Sequence, residues 1–212
     1  FELNVLTVMS GGLLTGVGSY FTDDDVRNIS KIEGVAVAAP LLQKSAVKLY
    51  NNETHKNSTA LVMLGVNFAE FWLIYPERLL FENGSLPTSI ANNTLIIGYN
   101  VEHPKETETF AYTNQNVTVE IALSRTRFEN YTFNLAGTIG KSGAAGFINF
   151  DDTIFVPLEA ARQIFDTDRA DMIFVKLSDP SYSDSVTTQI KELFPAQEVR
   201  VLVPSAFMEQ VE

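Results

Sequence analysis

Two stretches near opposite ends of the chain follow one pattern, a helix, a turn and an alternating strand, and a fold for this chain has to accommodate both. In residues 22–42, TDDDVRNISKIEGVAVAAPLL, Thr22 stands at an N-cap. Asp25 follows three residues on, where an acidic side chain reaches back to the cap's own N–H. Asp23, Asp24 and Asp25 also put negative charge at the positive end of the helix. Val26, Ile29 and Ile32 recur at helical spacing and Gly34 suits a left-handed turn, after which Val35, Val37 and Ala39 alternate as a strand that ends at Pro40. In residues 183–203, SDSVTTQIKELFPAQEVRVLV, the stripe is Val186, Ile190, Leu193 and Phe194; Pro195 stops the helix, and Val199, Val201 and Val203 alternate. A strand is predicted before each helix, at residues 3–9 (LNVLTVM) and 172–177 (MIFVKL). Two β-α-β units separated by most of the chain are not a simple repeat and imply an insertion between them.

The intervening sequence supports that division. Residues 11–18 (GGLLTGVG) form a flexible connection whose glycines miss the G-x-G-x-x-G spacing, and residues 45–50 and 59–64 are strands around the polar turn NNETHKNS. Residues 68–75 (FAEFWLIY) are better read as a short helix packed on the sheet than as the start of an exposed aromatic patch. From residue 80 the texture changes to short strands at 95–99, 117–123, 131–139 and 153–156, with turn signals at Asn83-Gly84 and Asn92-Asn93. Pro157 then opens a helix with Ala160, Ala161, Ile164 and Phe165 on its apolar stripe. The fold class is α+β: a split β-α-β subdomain over residues 1–79 and 157–212, with a mostly-β subdomain, 80–156, inserted into it. Ser205 caps a short final helix carrying Ala206, Phe207, Met208 and Val211.

A net charge of −11 with 15 Lys and Arg disfavours nucleic acid and anionic lipid as partners. The absence of cysteine leaves no disulfide or thiolate metal site. Seven N-x-[ST] triplets, at Asn28, Asn52, Asn57, Asn83, Asn92, Asn116 and Asn130, point to an extracytoplasmic location and are candidate glycan acceptors. No run of eighteen apolar residues occurs, and the sequence opens at Phe1 as though within a strand of something longer. His55 and His103 lie in polar loops without a partner at ligand or triad spacing. The three aspartates 23–25 lack the EF-hand spacing, and Asp151 and Asp152 sit in a polar turn where solvation accounts for them. Gly140-Lys141-Ser142 resembles the end of a phosphate loop, but Leu135 stands where the first glycine belongs. The segment GKSGAAG is better taken as a glycine-rich hairpin tip, with Lys141, Ser142, Gly143 and Phe147 the candidate partner contacts. No nucleophile with an adjacent base and no cofactor fingerprint stands out, so no catalytic residue, metal or cofactor is assigned.

The order and spacing of DDVRNISKIEGVAVAAP, LGVNFAEF, LIIGYNV, FNLAGTIGKSG, DDTIFVPLEAARQIF and IFVKLSD resemble the extracytoplasmic core domain of MacB-type and FtsX/LolC-like ABC transporter permeases. The resemblance runs over nearly the whole chain. It implies a porter-like, ferredoxin-like α/β subdomain with a Sabre-like β subdomain inserted, placed between two transmembrane helices of a permease outside the membrane. It further implies a non-catalytic role that carries ATP-driven motion outward, with the transmembrane and ATPase parts of the transporter, a second copy in a homodimer, and an exported substrate or accessory protein as partners. Both ends of the domain are then expected to face the same bilayer. A free-standing secreted adhesin or ligand-binding module is the alternative on the residues alone.

Overall fold

The structure is a computed structural model that describes residues 2–10, 20–145, 148–195 and 199–204. In chain order the first elements are β1 (Val5–Ser10), α1 (Asp23–Ser30), β2 (Val35–Asn51), β3 (Asn57–Val66) and α2 (Phe68–Ile74). Then come β4 (Phe81–Gly84), β5 (Thr94–Ile97), α3 (Tyr99–Glu102), β6 (Asn116–Ala122), β7 (Phe128–Ile139), β8 (Ala144–Ala145) and β9 (Ile148–Asn149). A 3-10 turn at Phe150–Asp152 leads into β10 (Thr153–Pro157) and α4 (Leu158–Phe165), followed by β11 (Met172–Leu177), a second 3-10 turn at Pro180–Tyr182, α5 (Ser183–Leu193) and β12 (Val199–Leu202). The chain forms two compact units: one takes the residues up to Leu42, Ala69–Ile74 and those from Thr167 on, the other Gln43–Phe68 and Tyr75–Asp166. Residues 80–156, the segment expected to be inserted, fall wholly in the second unit, together with the β2–β3 hairpin and α4.

In the first unit the strands lie in the order β12-β1-β11-β2, each antiparallel to its neighbour. The strands of the two β-α-β units therefore interleave: β11 lies between β1 and β2, and β1 lies between β12 and β11. α1 begins as its sequence requires. Asp25 N–H donates to Thr22 Oγ1 (3.2 Å) and Thr22 N–H to Asp25 Oδ2 (2.8 Å), closing the reciprocal capping box. Ile29 of α1 and Val186 and Ile190 of α5 are buried with Leu6, Val8, Ile173 and Val175 in a single cluster, to which Phe21 and Phe194 add an edge-to-face pair at 5.5 Å. Phe71 of α2 stacks on Phe174 of β11 at 5.9 Å, and Lys176 Nζ donates to the Leu73 carbonyl (3.0 Å). Residues 68–75 thus give a short helix with Phe71 and Ile74 fully buried.

In the second unit β3 pairs in parallel with β10, β10 antiparallel with β5, β5 in parallel with β7, and β7 antiparallel with both β4 and β6. β6 closes against the end of β2, from Lys48↔Glu120 to Asn51↔Val117. Leu49, Met63, Leu95, Val119, Phe150 and Phe155 are buried among these strands. The β2–β3 turn is held from inside by Asn51, whose Oδ1 accepts from Glu53 N–H (3.0 Å) and Thr54 N–H (3.2 Å) while its Nδ2 donates to the Phe110 carbonyl (3.0 Å).

Two readings of the sequence are corrected here. The strand expected to end at Pro40 continues to Asn51, with Pro40 opposite Ile173. β11 pairs with β2 on both sides of the proline, at Leu41↔Met172 and Ala39↔Phe174, so the ladder carries the strand past the one residue that lacks an N–H. The strand expected to reach residue 99 stops at Ile97, because Gly98 approaches the backbone of Phe150 and Asp151 too closely for any Cβ and the chain turns into α3. The glycine loop 11–18 and the final helix at 205–211 lie outside the described residues.

Two positions carry testable consequences. Gly34 has φ +94, and a Cβ there would fall within the ring of Tyr182. Gly34→Ala is expected to cost about 2 kcal/mol from backbone strain and displacement of that ring. The melting temperature should fall by roughly 4–8 °C, and an unchanged value would refute the close fit. Glu102 is 1% exposed; one carboxylate oxygen is held by the Ala111 N–H and Oε2 has no partner among the described residues. Burial first, and Glu82 second, push its pKa up from 4.5 to about 8, against the opposing effects of the Ala111 bond and Lys56. The folded chain then keeps a proton that the unfolded chain releases near 4.5, so this contribution to stability is present below that pH and is lost as pH rises through about 8. Glu102→Gln should flatten the stability profile between pH 5 and 8.5, with a gain on the order of a few kcal/mol at the alkaline end. Parallel profiles for the two proteins would show that the buried carboxyl does not titrate in this way.

Candidate functional site

The glycine-rich segment after β7 is built around one buried carboxylate. Asp151, 4% exposed, accepts from Ser142 N–H through Oδ1 (2.7 Å) and from Gly143 N–H through Oδ2 (2.9 Å). From the other side Arg78 Nη1 donates to the carbonyls of Ala144 (2.9 Å) and Ser142 (3.4 Å), and Phe150 N–H donates to the Gly143 carbonyl (3.2 Å). Gly143 has φ +75, the conformation that lets consecutive N–H groups turn toward one anion. Asp151 is itself placed by Asn149, whose Oδ1 accepts from the Asp151 N–H (3.1 Å). Asp152 next to it accepts from Asn149 Nδ2 (2.7 Å) and Asn100 Nδ2 (2.9 Å).

This corrects the assignment of Asp151 to a solvated turn. Burying a carboxylate is costly unless it is bonded, and two backbone N–H groups supply the bonds. Its partners lie eight and nine residues earlier in the chain, and no local pattern marks them. Lys141 is exposed, Ser142 and Gly143 are half-buried, and Phe147 lies outside the described residues.

The histidines are not isolated. His103 Nε2 is 3.3 Å from Glu82 Oε2 and its ring is 4.5 Å from that of Tyr99, while His55 Nδ1 contacts the Tyr50 hydroxyl. Among the described residues no three His, Cys, Asp or Glu side chains gather as a metal site would need, and no helix is long and apolar enough to cross a membrane. A cleft of about 290 Å³ is lined by Asn92, Asn93, Tyr131, Phe133, Gln163 and Ile164, among others, with no charged side chain. Beside it the Tyr131 hydroxyl, followed by Arg127, holds the Glu129 carboxyl below the usual carboxylate range. The seven triplet asparagines are spread over the fold: Asn28 on α1, Asn52 in the β2–β3 turn, Asn57 on β3, Asn83 on β4, Asn92 before β5, Asn116 on β6 and Asn130 on β7. All seven are exposed.

Comparison with known proteins places this architecture. The periplasmic region of MacB from Actinobacillus actinomycetemcomitans superposes with a TM-score of 0.69 at 15% identity, covering 98% of this chain and 92% of that one. The extracellular domain of the noncanonic ABC-type transporter YknZ from Gram-positive bacteria gives 0.63 at 14% identity over 94% and 100% of the two chains. A domain of a putative permease protein from Porphyromonas gingivalis gives 0.61 at 14% identity over 95% and 90%. At these identities the similarity establishes the fold, and none of the curated proteins matches the sequence. The family described as the MacB-like periplasmic core domain matches residues 2–193. The chain belongs to that family, the MacB-like periplasmic core domains of ABC transporter permeases.

Proposed function

We propose that this domain is a non-catalytic lever outside the membrane, carried by the transmembrane helices of its permease and presenting a surface to an exported substrate or accessory protein. The observation that supports this best is the pairing of β1 with β12. The two strands are antiparallel neighbours, Thr7 opposite Leu202 and Ser10 opposite Val199, so the chain enters β1 and leaves β12 at the same end of the sheet. A domain inserted between two membrane helices needs that arrangement. A free-standing module has no such requirement.

The segment at residues 141–145 supports a contact role without chemistry. Its Ser142 and Gly143 N–H groups, the donors a phosphate would need, are already committed to Asp151. The segment that follows Ser142 is the short strand β8 and not the helix of a phosphate loop. Adding ATP and magnesium to the domain is therefore expected to leave its melting temperature unchanged, and a rise of several degrees would refute the assignment.

The lever and the dimer are tested together in the intact transporter. The sequence has no cysteine, so Glu106→Cys, at an exposed position, gives one spin label in this domain once other cysteines are removed. Distances between the labels of two protomers should shift when ATP is bound. An unchanged distance would overturn the lever, and the absence of any label-to-label distance would overturn the dimer.

A further inference from the structure

We propose that the second unit carries N-linked glycans, at Asn52, Asn57, Asn83, Asn92, Asn116 and Asn130. Fifteen asparagines occur, and with 32 Ser and Thr in 212 residues roughly two of them would begin an N-x-[ST] triplet by chance; seven do. Composition alone does not account for that excess.

In the structure the amide nitrogens of these asparagines are available, whereas those of four asparagines outside the triplets are not. None of the seven triplet asparagines donates a side-chain hydrogen bond to a described residue, and all seven are exposed. Outside the triplets, Asn51, Asn100, Asn134 and Asn149 all commit Nδ2, to the Phe110 carbonyl, Asp152, the Asn114 carbonyl and Asp152 respectively. Where a triplet side chain is bonded, it is through its oxygen: Asn52 Oδ1 accepts from Thr118 Oγ1 (2.8 Å) and Asn116 Oδ1 from Asn134 Nδ2 (3.2 Å). The nitrogen that has to form the glycosidic bond stays uncommitted.

Six of the seven lie in the second unit. Asn116 and Asn130 share one face of the β6–β7 pair, since Asn130 is opposite Glu120 while Val117, Val119, Ile121 and Phe133 fill the buried face. Asn52 adjoins them, its N–H donating to the Asn116 carbonyl (3.0 Å). Asn28 stands apart, inside α1, where the hydroxyl of its Ser30 donates back to the Arg27 carbonyl (2.7 Å), and is left out of the assignment.

The reaction is a redox-neutral substitution. The asparagine Nδ2 attacks the anomeric carbon of a saccharide carried on a polyisoprenoid phosphate, the N–C bond forms as the C–O bond to the phosphate breaks, and the lipid phosphate leaves while the amide proton passes to a base of the transferase. An extracytoplasmic domain is exposed to such donors. Once in place, sugars on Asn52, Asn116 and Asn130 cover the outer face of β6 and β7 and exclude it from protein contact.

The experiment is mass spectrometry of glycopeptides from the full protein isolated from membranes of its own cells, alongside the exposed-site variants Ser85→Ala and Thr132→Ala. The expected result is a saccharide mass on peptides containing these asparagines, lost at Asn83 in the first variant and at Asn130 in the second. Unmodified masses at all six asparagines would overturn the proposal. So would added masses that survive both substitutions, because the attachment would then not depend on the triplet.

Discussion

The fold of the first unit depends on the pairing of β1 with β11. Five register pairs, from Val5↔Lys176 to Met9↔Met172, join segments that are far apart in sequence. Closing so long a loop adds only a logarithmic entropy term, but it has to be met before any contact across it contributes. Neither β-α-β unit can complete a sheet alone, since the strand on each side of β1 and one side of β2 come from the other end of the chain. The apolar stripes of α1 and α5 become useful only then, because the cluster they cover, Leu6, Val8, Ile173 and Val175, takes two residues from each of the paired strands.

The second unit solves a different problem. β3–β10 and β5–β7 are parallel pairs, which cannot be joined by tight hairpins and need long connections. Buried polar groups tie those connections down. Asn51 ties the β2–β3 turn to the Phe110 carbonyl, Ser58 Oγ donates to the Val101 carbonyl (2.6 Å), and Asp151 holds the segment after β7. Bonded groups of this kind set loop geometry where apolar contacts alone would leave it loose. Glu102 Oε2 and the Ser142 hydroxyl are exceptions, buried without a partner among the described residues.

What could be read from the sequence follows from how local the cause is. The Thr22–Asp25 box and the positive φ of Gly34 are set within a few residues of themselves, and the structure has them where the pattern put them; of the stripe read at α5, Val186, Ile190 and Phe194 are buried, while Leu193 at the helix's last position is exposed. β11 was legible to the residue because every position is apolar except Lys176. The continuation of β2 past Pro40 was not, since it depends on which strand lies alongside. Nor was the role of Asp151: a carboxylate in a polar turn gives the same sequence whether it faces water or two N–H groups eight and nine residues away. The family could be recognised because the order of many weak segments carries information that each segment lacks.

The pairing of β1 and β12 also restricts how force can pass through the domain. Loads that pull the ends of two neighbouring antiparallel strands apart at the same end of a sheet act on the hydrogen bonds one after another, starting with those near Thr7 and Leu202. That is the weak direction for a ladder. Loads that move both ends together leave those bonds unstressed and act on the whole unit, in which β1 is held on its other side by β11 and covered by α1 and α5. On the proposed role, the two membrane helices are required to move in concert. Their divergence would open the sheet at its β1–β12 seam before any displacement reached the rest of the first unit.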